Sequence, residues 1–88
     1  MYFVYILYSE RDKELYVGCT SNVEERIKRH TAGEVLATKS RRPLQCIYTE
    51  SYISKAEAFD RERFLKTLWS ARFKSKIKSE YLKNKQSE

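Results

Sequence analysis

Residues 2–8, YFVYILY, form an unbroken run of β-branched, aliphatic and aromatic side chains with no polar position on either side of the chain. A strand with one wet face alternates, whereas a run apolar at both parities reads as a central strand covered on both faces. Polar SERDK at 9–13 follows, then ELYVG at 14–18, which reads as a second strand. So short a connection makes the pair an antiparallel hairpin. With Ser9–Asp12 taken as a four-residue loop, Tyr8 faces Lys13 and Tyr5 faces Tyr16, which places both tyrosines on one sheet face.

Working outward, Ser21 with Glu24, or Asn22 with Glu25, satisfies a capping-box pattern. It predicts a helix over Val23–Ala32, with Val23 and Ile27 inward and Gly33 placed to end it. Asn22, Arg26 and His30 are four apart and share one side of that helix. Residues 34–44 form a loop carrying Lys39, Arg41 and Arg42 and closed by Pro43. Cys46–Tyr52 alternates as a third, half-exposed strand. Ser54 with Glu57 opens a helix over Lys55–Leu68, and a last helix begins near Ser70, with Phe73, Ile77 and Tyr81 inward and Arg72, Lys74, Lys76 and Lys78 outward. The expectation is an α+β fold: a small three-stranded antiparallel sheet packed by helices as one layer pair, in the order β-β-α-β-α-α. Residues 1–82 are expected to form a single domain and Lys83–Glu88 a polar, frayed tail.

The 88 residues carry a formal net charge of +6. A basic surface of that size fits an anionic partner, or simply a solvated lysine-rich exterior. One histidine and two well-separated cysteines exclude a zinc-ligand spacing. The apolar start lacks a basic flank and is too short for a signal or a membrane span, so a cytoplasmic protein with no membrane partner is expected.

Three groups could carry chemistry. Glu62 falls within an apolar helical arc of Ala58, Phe59, Leu65 and Trp69, where a carboxylate needs compensation. Lys66, one turn on, could supply it as an ion pair. Alternatively Glu62 holds a divalent cation at the edge of the core, since Mg²⁺ accepts few protein carboxylates and keeps waters or phosphate oxygens. Arg26 and His30 are either an exposed basic helix side, shared with Lys28 and Arg29, or a phosphate-recognising pair. Tyr5 and Tyr16 are either sheet packing or phenols near a reacting water.

Phe3-Val4-Tyr5, Tyr16-Val17-Gly18, Arg26, His30 and Glu62, in this order and spacing, resemble the GIY-YIG endonuclease family. The likeness is to its small standalone bacterial members, which are similar in turn to the N-terminal nuclease domain found in excinuclease, and it spans about Tyr2 to Ile77. Phe3 stands where the family's first triplet has glycine. The resemblance implies a metal-dependent endonuclease that hydrolyses phosphodiester bonds of nucleic acid, with DNA as the expected substrate. A nucleic-acid-binding module with a weak or partner-dependent nuclease site is the alternative. It implies Tyr5 as general base or water-positioning group, Tyr16 supporting the water or phosphate, Gly18 allowing close approach, and Arg26 stabilising the transition state. His30 would assist proton transfer, and Glu62 would hold one Mg²⁺ or Mn²⁺. Asn22 and Lys66 are expected as structural neighbours of that site. Arg29, Lys39, Arg41, Arg42, Arg72 and Lys74 are expected to contact nucleic acid, and a homodimer or protein partner to supply specificity.

Overall fold

The computed structural model describes residues 1–86. Strands β1 (Tyr2–Ser9), β2 (Leu15–Thr20) and β3 (Leu44–Tyr52) form one antiparallel sheet in the order β2-β1-β3. Helix α1 (Val23–Thr31) follows the hairpin, and α2 (Lys55–Leu65) and α3 (Ala71–Gln86) follow β3. Class, element order and the central place of β1 are as the sequence predicts.

The alternation along β1 explains its composition. Val4 and Ile6 join Val17 of β2 with Ala58 and Leu65 of α2 in the main core, against which Phe73 and Ile77 of α3 pack. Tyr5 and Leu7 point the other way, and the His30 ring of α1 lies edge-on to Tyr5. Helices therefore cover both faces, which corrects the expected single layer pair to three layers. A strand apolar at both parities requires that cover.

The hairpin register also differs from expectation. Tyr5 is opposite Gly18, and Tyr16 is opposite Leu7. Ser9 belongs to the strand and pairs with Glu14, and Lys13 turns the chain with a φ of 65°. The slip is two residues, an even number, so Tyr5 and Tyr16 still share a face.

Helix ends follow local chemistry. The Asn22 side chain caps α1 by accepting from the Glu25 N–H at 3.1 Å, a contact worth about 1 kcal/mol. Gly33, at φ 79°, ends α1, with Gly33 N–H donating to His30 O and Glu34 N–H to Arg29 O. Ser54 caps α2, but α2 stops at Leu65 and not at Leu68. A 3₁₀ turn, Leu68–Ser70, intervenes, and the Ser70 hydroxyl turns back to the carbonyls of Leu65 and Thr67. The helical wheel therefore fails beyond Leu65, and Trp69, expected on the apolar arc, is 88% exposed. Residues 83–86, expected as a frayed tail, continue α3, and Lys85 pairs with Glu10. The last two positions of that expected tail lie outside the described residues.

A partly buried ionic cluster ties α2 to the sheet. Glu50 of β3 accepts from the hydroxyls of Tyr48 and Tyr52 and from two nitrogens of Arg61, at 2.5 to 3.0 Å. The Arg61 guanidinium also lies over the Phe73 ring, 4.9 Å from its centre. Burial pushes the Glu50 carboxyl up, but Arg61 and the two hydroxyls more than offset it and leave it below its ordinary value. Arg61 precedes Glu62, so this cluster sets the position of the α2 turn that carries Glu62.

Candidate active site

The helix end at Gly33 places His30 in the last turn of α1, over the sheet face that carries Tyr5 and Tyr16. Its ring is edge-on to both, with centroids 5.6 Å from Tyr5 and 5.3 Å from Tyr16. His30 Nε2 is 2.9 Å from the Tyr5 hydroxyl, and Arg26, one turn earlier, donates from Nε to the same oxygen at 3.4 Å. The i, i+4 spacing read from the sequence thus delivers both side chains to one phenol.

Gly18 sits under that phenol. A Cβ there would lie 2.3 Å from Tyr5 Cζ and Oη, an impossible contact. Glycine is needed because the ring occupies the space of a side chain.

The electrostatics favour a neutral pair beside a cation. Burial, then the charges of Arg26 and Arg29, pushes the His30 pKa down to about 4, so the imidazole is neutral at pH 7. Burial raises the Tyr5 phenol above its ordinary value. The Arg26 hydrogen bond opposes that rise, and Tyr16 and Glu62 add to it. Tyr5 is protonated at neutral pH and fully enclosed, at 0% exposure.

Glu62 comes from the other side of the sheet, on α2, yet its charge acts on both Tyr5 and the Cys19 thiol. Its side chain is 20% exposed and pairs with Lys66 at 3.2 Å, the ion pair that the sequence offered as one alternative. Lys66 is also the C-cap of α2. Phe59, Glu62 and Arg63 line an open cavity of about 270 Å³. Among the described residues, no group of three or more His, Cys, Asp or Glu side chains converges to hold a metal. One carboxylate beside open space fits Mg²⁺ or Mn²⁺, whose remaining positions water and phosphate oxygens can fill.

The basic residues are not gathered into one patch. Arg41 is held by Asp12, Nε to Oδ2 at 2.7 Å, and by the Leu15 carbonyl. The Arg41 guanidinium in turn holds the Asp12 carboxyl down at about 2. Arg42 packs its guanidinium against Gly33 and donates to the carbonyls of Lys39 and Thr31, the last residue of α1. Both have structural work that the sequence did not signal. Arg42 and Lys39 line a cavity of about 620 Å³ together with Arg11, an exposed cation at the hairpin tip that sequence reasoning passed over. Arg29 is exposed beside His30. Arg72 and Lys74 lie on α3, which packs on β3 and against the core on the Val4 and Ile6 face of the sheet.

Sequence reasoning also missed Thr38. It is fully buried, and its hydroxyl lies 2.7 Å from His30 Nδ1. The contact follows from the loop that α1's glycine stop sends back over the helix, and no motif announces it.

The GIY-YIG catalytic domain family matches the chain over residues 1–85. A UPF0213 protein of Staphylococcus haemolyticus is 46% identical over 67 residues, covering 75% of this chain and 80% of that one. A UPF0213 protein of Natronomonas pharaonis is 42% identical over 72 residues, covering 81% and 84%. The solution NMR structure of a UPF0213 protein from Bacillus halodurans superposes with a TM-score of 0.55 at 37% identity, covering 90% of this chain and 84% of that one. No described helix is long and apolar enough to cross a membrane.

Proposed function

The chain belongs to the GIY-YIG catalytic domain family, and on that premise we propose that it is a metal-dependent endonuclease acting on nucleic acid, with DNA as the substrate. The observation that carries the reading is the meeting of Arg26 and His30 on the enclosed hydroxyl of Tyr5.

In this reading a phosphate draws Arg26 off the Tyr5 oxygen. The guanidinium then stabilises the charge that develops on the phosphoryl oxygens. The move opens Tyr5 to water. Tyr5 orients the attacking water by accepting its hydrogen bond and takes its proton as the Tyr5 proton passes to Nε2 of the neutral His30, and the leaving oxygen takes a proton from solvent. The Tyr16 hydroxyl, on the same face, supports the water or the phosphate. Glu62 is the carboxylate that would hold one Mg²⁺ or Mn²⁺, after releasing Lys66. Bound there, the ion supplies charge neutralisation at the phosphate and the leaving oxygen.

Lys39, Arg29, Arg72 and Lys74 are proposed phosphate contacts, and Arg41 and Arg42 contribute through the loop they hold. A homodimer or a protein partner would supply specificity. The thiols of Cys19 and Cys46 are free, in keeping with a cytoplasmic protein. The pairing of Glu62 with Lys66 favours a second reading, a nucleic-acid-binding module whose nuclease site a partner must open.

A panel of labelled duplex, branched and single-stranded DNA and RNA tests the proposal. Cutting that requires added Mg²⁺ or Mn²⁺ and stops with a chelator supports it. Salt-sensitive binding without cutting under any condition favours the second reading.

A further inference from the structure

Both nitrogens of the His30 ring have buried partners. Nε2 lies 2.9 Å from the Tyr5 hydroxyl and Nδ1 lies 2.7 Å from Thr38 Oγ1. His30 is 1% exposed, and Tyr5 and Thr38 are 0% exposed. The ends of this chain of hydrogen bonds decide its direction. At one end is Arg26 Nε, which only donates. At the other is the Val35 carbonyl, which only accepts, with Thr38 Oγ1 at 3.5 Å.

Only one proton assignment satisfies every member. Arg26 N–H donates to Tyr5 O, and Tyr5 O–H donates to His30 Nε2. His30 Nδ1–H donates to Thr38 Oγ1, whose O–H donates to Val35 O. The opposite tautomer, with the proton on Nε2, gives the Tyr5 oxygen two donors and leaves its own O–H buried with no acceptor. A stranded buried donor is strongly disfavoured, because it gives up its bond to water and gains none in the protein. The protonated ring has the same defect, and Arg26 and Arg29 add repulsion.

We propose that Thr38 is a positioning residue that holds His30 as the Nδ1–H tautomer, so that the Tyr5 proton is turned inward onto Nε2. The Tyr5 oxygen then keeps its accepting lone pair on the Arg26 side, where it receives the Arg26 N–H and can only accept. That last consequence rests on the nuclease reading, but the tautomer does not. Without the Thr38 hydroxyl, Nδ1–H loses its acceptor and the preference for that tautomer falls. Tyr5 would then present its proton, and not a lone pair, to an incoming water.

The chain has a single histidine, so its two ring nitrogens can be read by ¹⁵N NMR in the intact protein without ambiguity. The wild type is expected to show a protonated Nδ1 and an unprotonated Nε2 at pH 7. Thr38→Val keeps the shape and loses the hydroxyl, and is expected to shift the ring toward Nε2–H. Thr38→Ser keeps the hydroxyl and is expected to retain the wild-type pattern. On cleaved nucleic acid, kcat should fall about 10- to 100-fold in Thr38→Val with KM little changed, and recover in Thr38→Ser.

A wild-type ring protonated on Nε2 would overturn the proposal. So would a Thr38→Val protein with the wild-type tautomer, or equal losses of kcat in the Val and Ser variants. If the wild type cuts nothing, the nitrogen signals alone decide the proposal, and only the nuclease reading fails.

Discussion

Gly18 and Tyr5 face each other across the β1–β2 pair so closely that any side chain at position 18 would collide with the phenol. The absent Cβ therefore fixes the height of the Tyr5 hydroxyl above the sheet, and with it the reach to His30 and Arg26. Gly18→Ala should destabilise the fold by about 1–3 kcal/mol through overpacking. The same change in a Tyr5→Ala background should be markedly less harmful, because the clash is gone. Urea unfolding of the four proteins measures this, and additive losses would show that the glycine serves something other than the phenol.

His30 gives the fold a pH dependence with a defined window. Its folded pKa, about 4, lies below the ordinary value of 6.5. The unfolded chain therefore binds the proton first as pH falls, so this stability is present above about 6.5 and lost on the way down to about 4. A shift of that size corresponds to about 3 kcal/mol. With one histidine in the chain, His30→Gln should flatten the stability profile across that window. An unchanged slope in the variant would place the proton uptake elsewhere.

Glu50 should matter to stability more than any exposed ion pair. Replacing it by glutamine leaves the partly buried Arg61 guanidinium without its counter-charge, at a cost of about 3 kcal/mol. Because its folded pKa is depressed, its contribution is present above the ordinary carboxylate range and fades as pH falls through the lower folded value. Thermal unfolding of Glu50→Gln at pH 7 checks the magnitude. A loss no larger than that of Asp60→Ala, which breaks the exposed Arg63 pair, would contradict this assignment.

The basic loop should divide by function. Lys39→Glu is expected to weaken nucleic-acid binding and reduce the salt slope by about 1 while leaving stability near wild type. Arg41→Ala and Arg42→Ala should act mainly on the fold, by releasing Asp12 and uncapping α1. Binding isotherms at several salt concentrations, with unfolding curves for each variant, separate the two. Loss of affinity in Arg42→Ala at unchanged stability would return that residue to the binding surface.

These residues also mark what a single sequence makes legible. Tyr5 and Tyr16 fall on one face because side chains alternate with a period of two, and a register error of two residues preserves the face. The register itself depended on Lys13 adopting a positive φ, which lysine does not signal. Asn22, Arg26 and His30 were readable because helical spacing is local and rigid. Trp69 was misplaced because α2 ends at Leu65, where the stop is made by a serine reaching back from the next turn. The Glu50–Arg61 cluster and the Thr38–His30 contact were invisible, since each joins elements whose relative placement only tertiary packing decides. The structural work of Arg41 and Arg42 was hidden for the same reason, as charge composition does not say which cations already have partners.

The most direct test of the central claim compares wild type with Glu62→Ala for cleavage and for binding of the same labelled nucleic acids, with Mg²⁺ or Mn²⁺ present. The account predicts metal-dependent cutting by the wild type, its loss in the variant, and salt-sensitive binding retained by both. Cutting that survives in Glu62→Ala at wild-type rate would contradict the assignment of Glu62 as the metal-holding carboxylate and, with it, the mechanism built on this site.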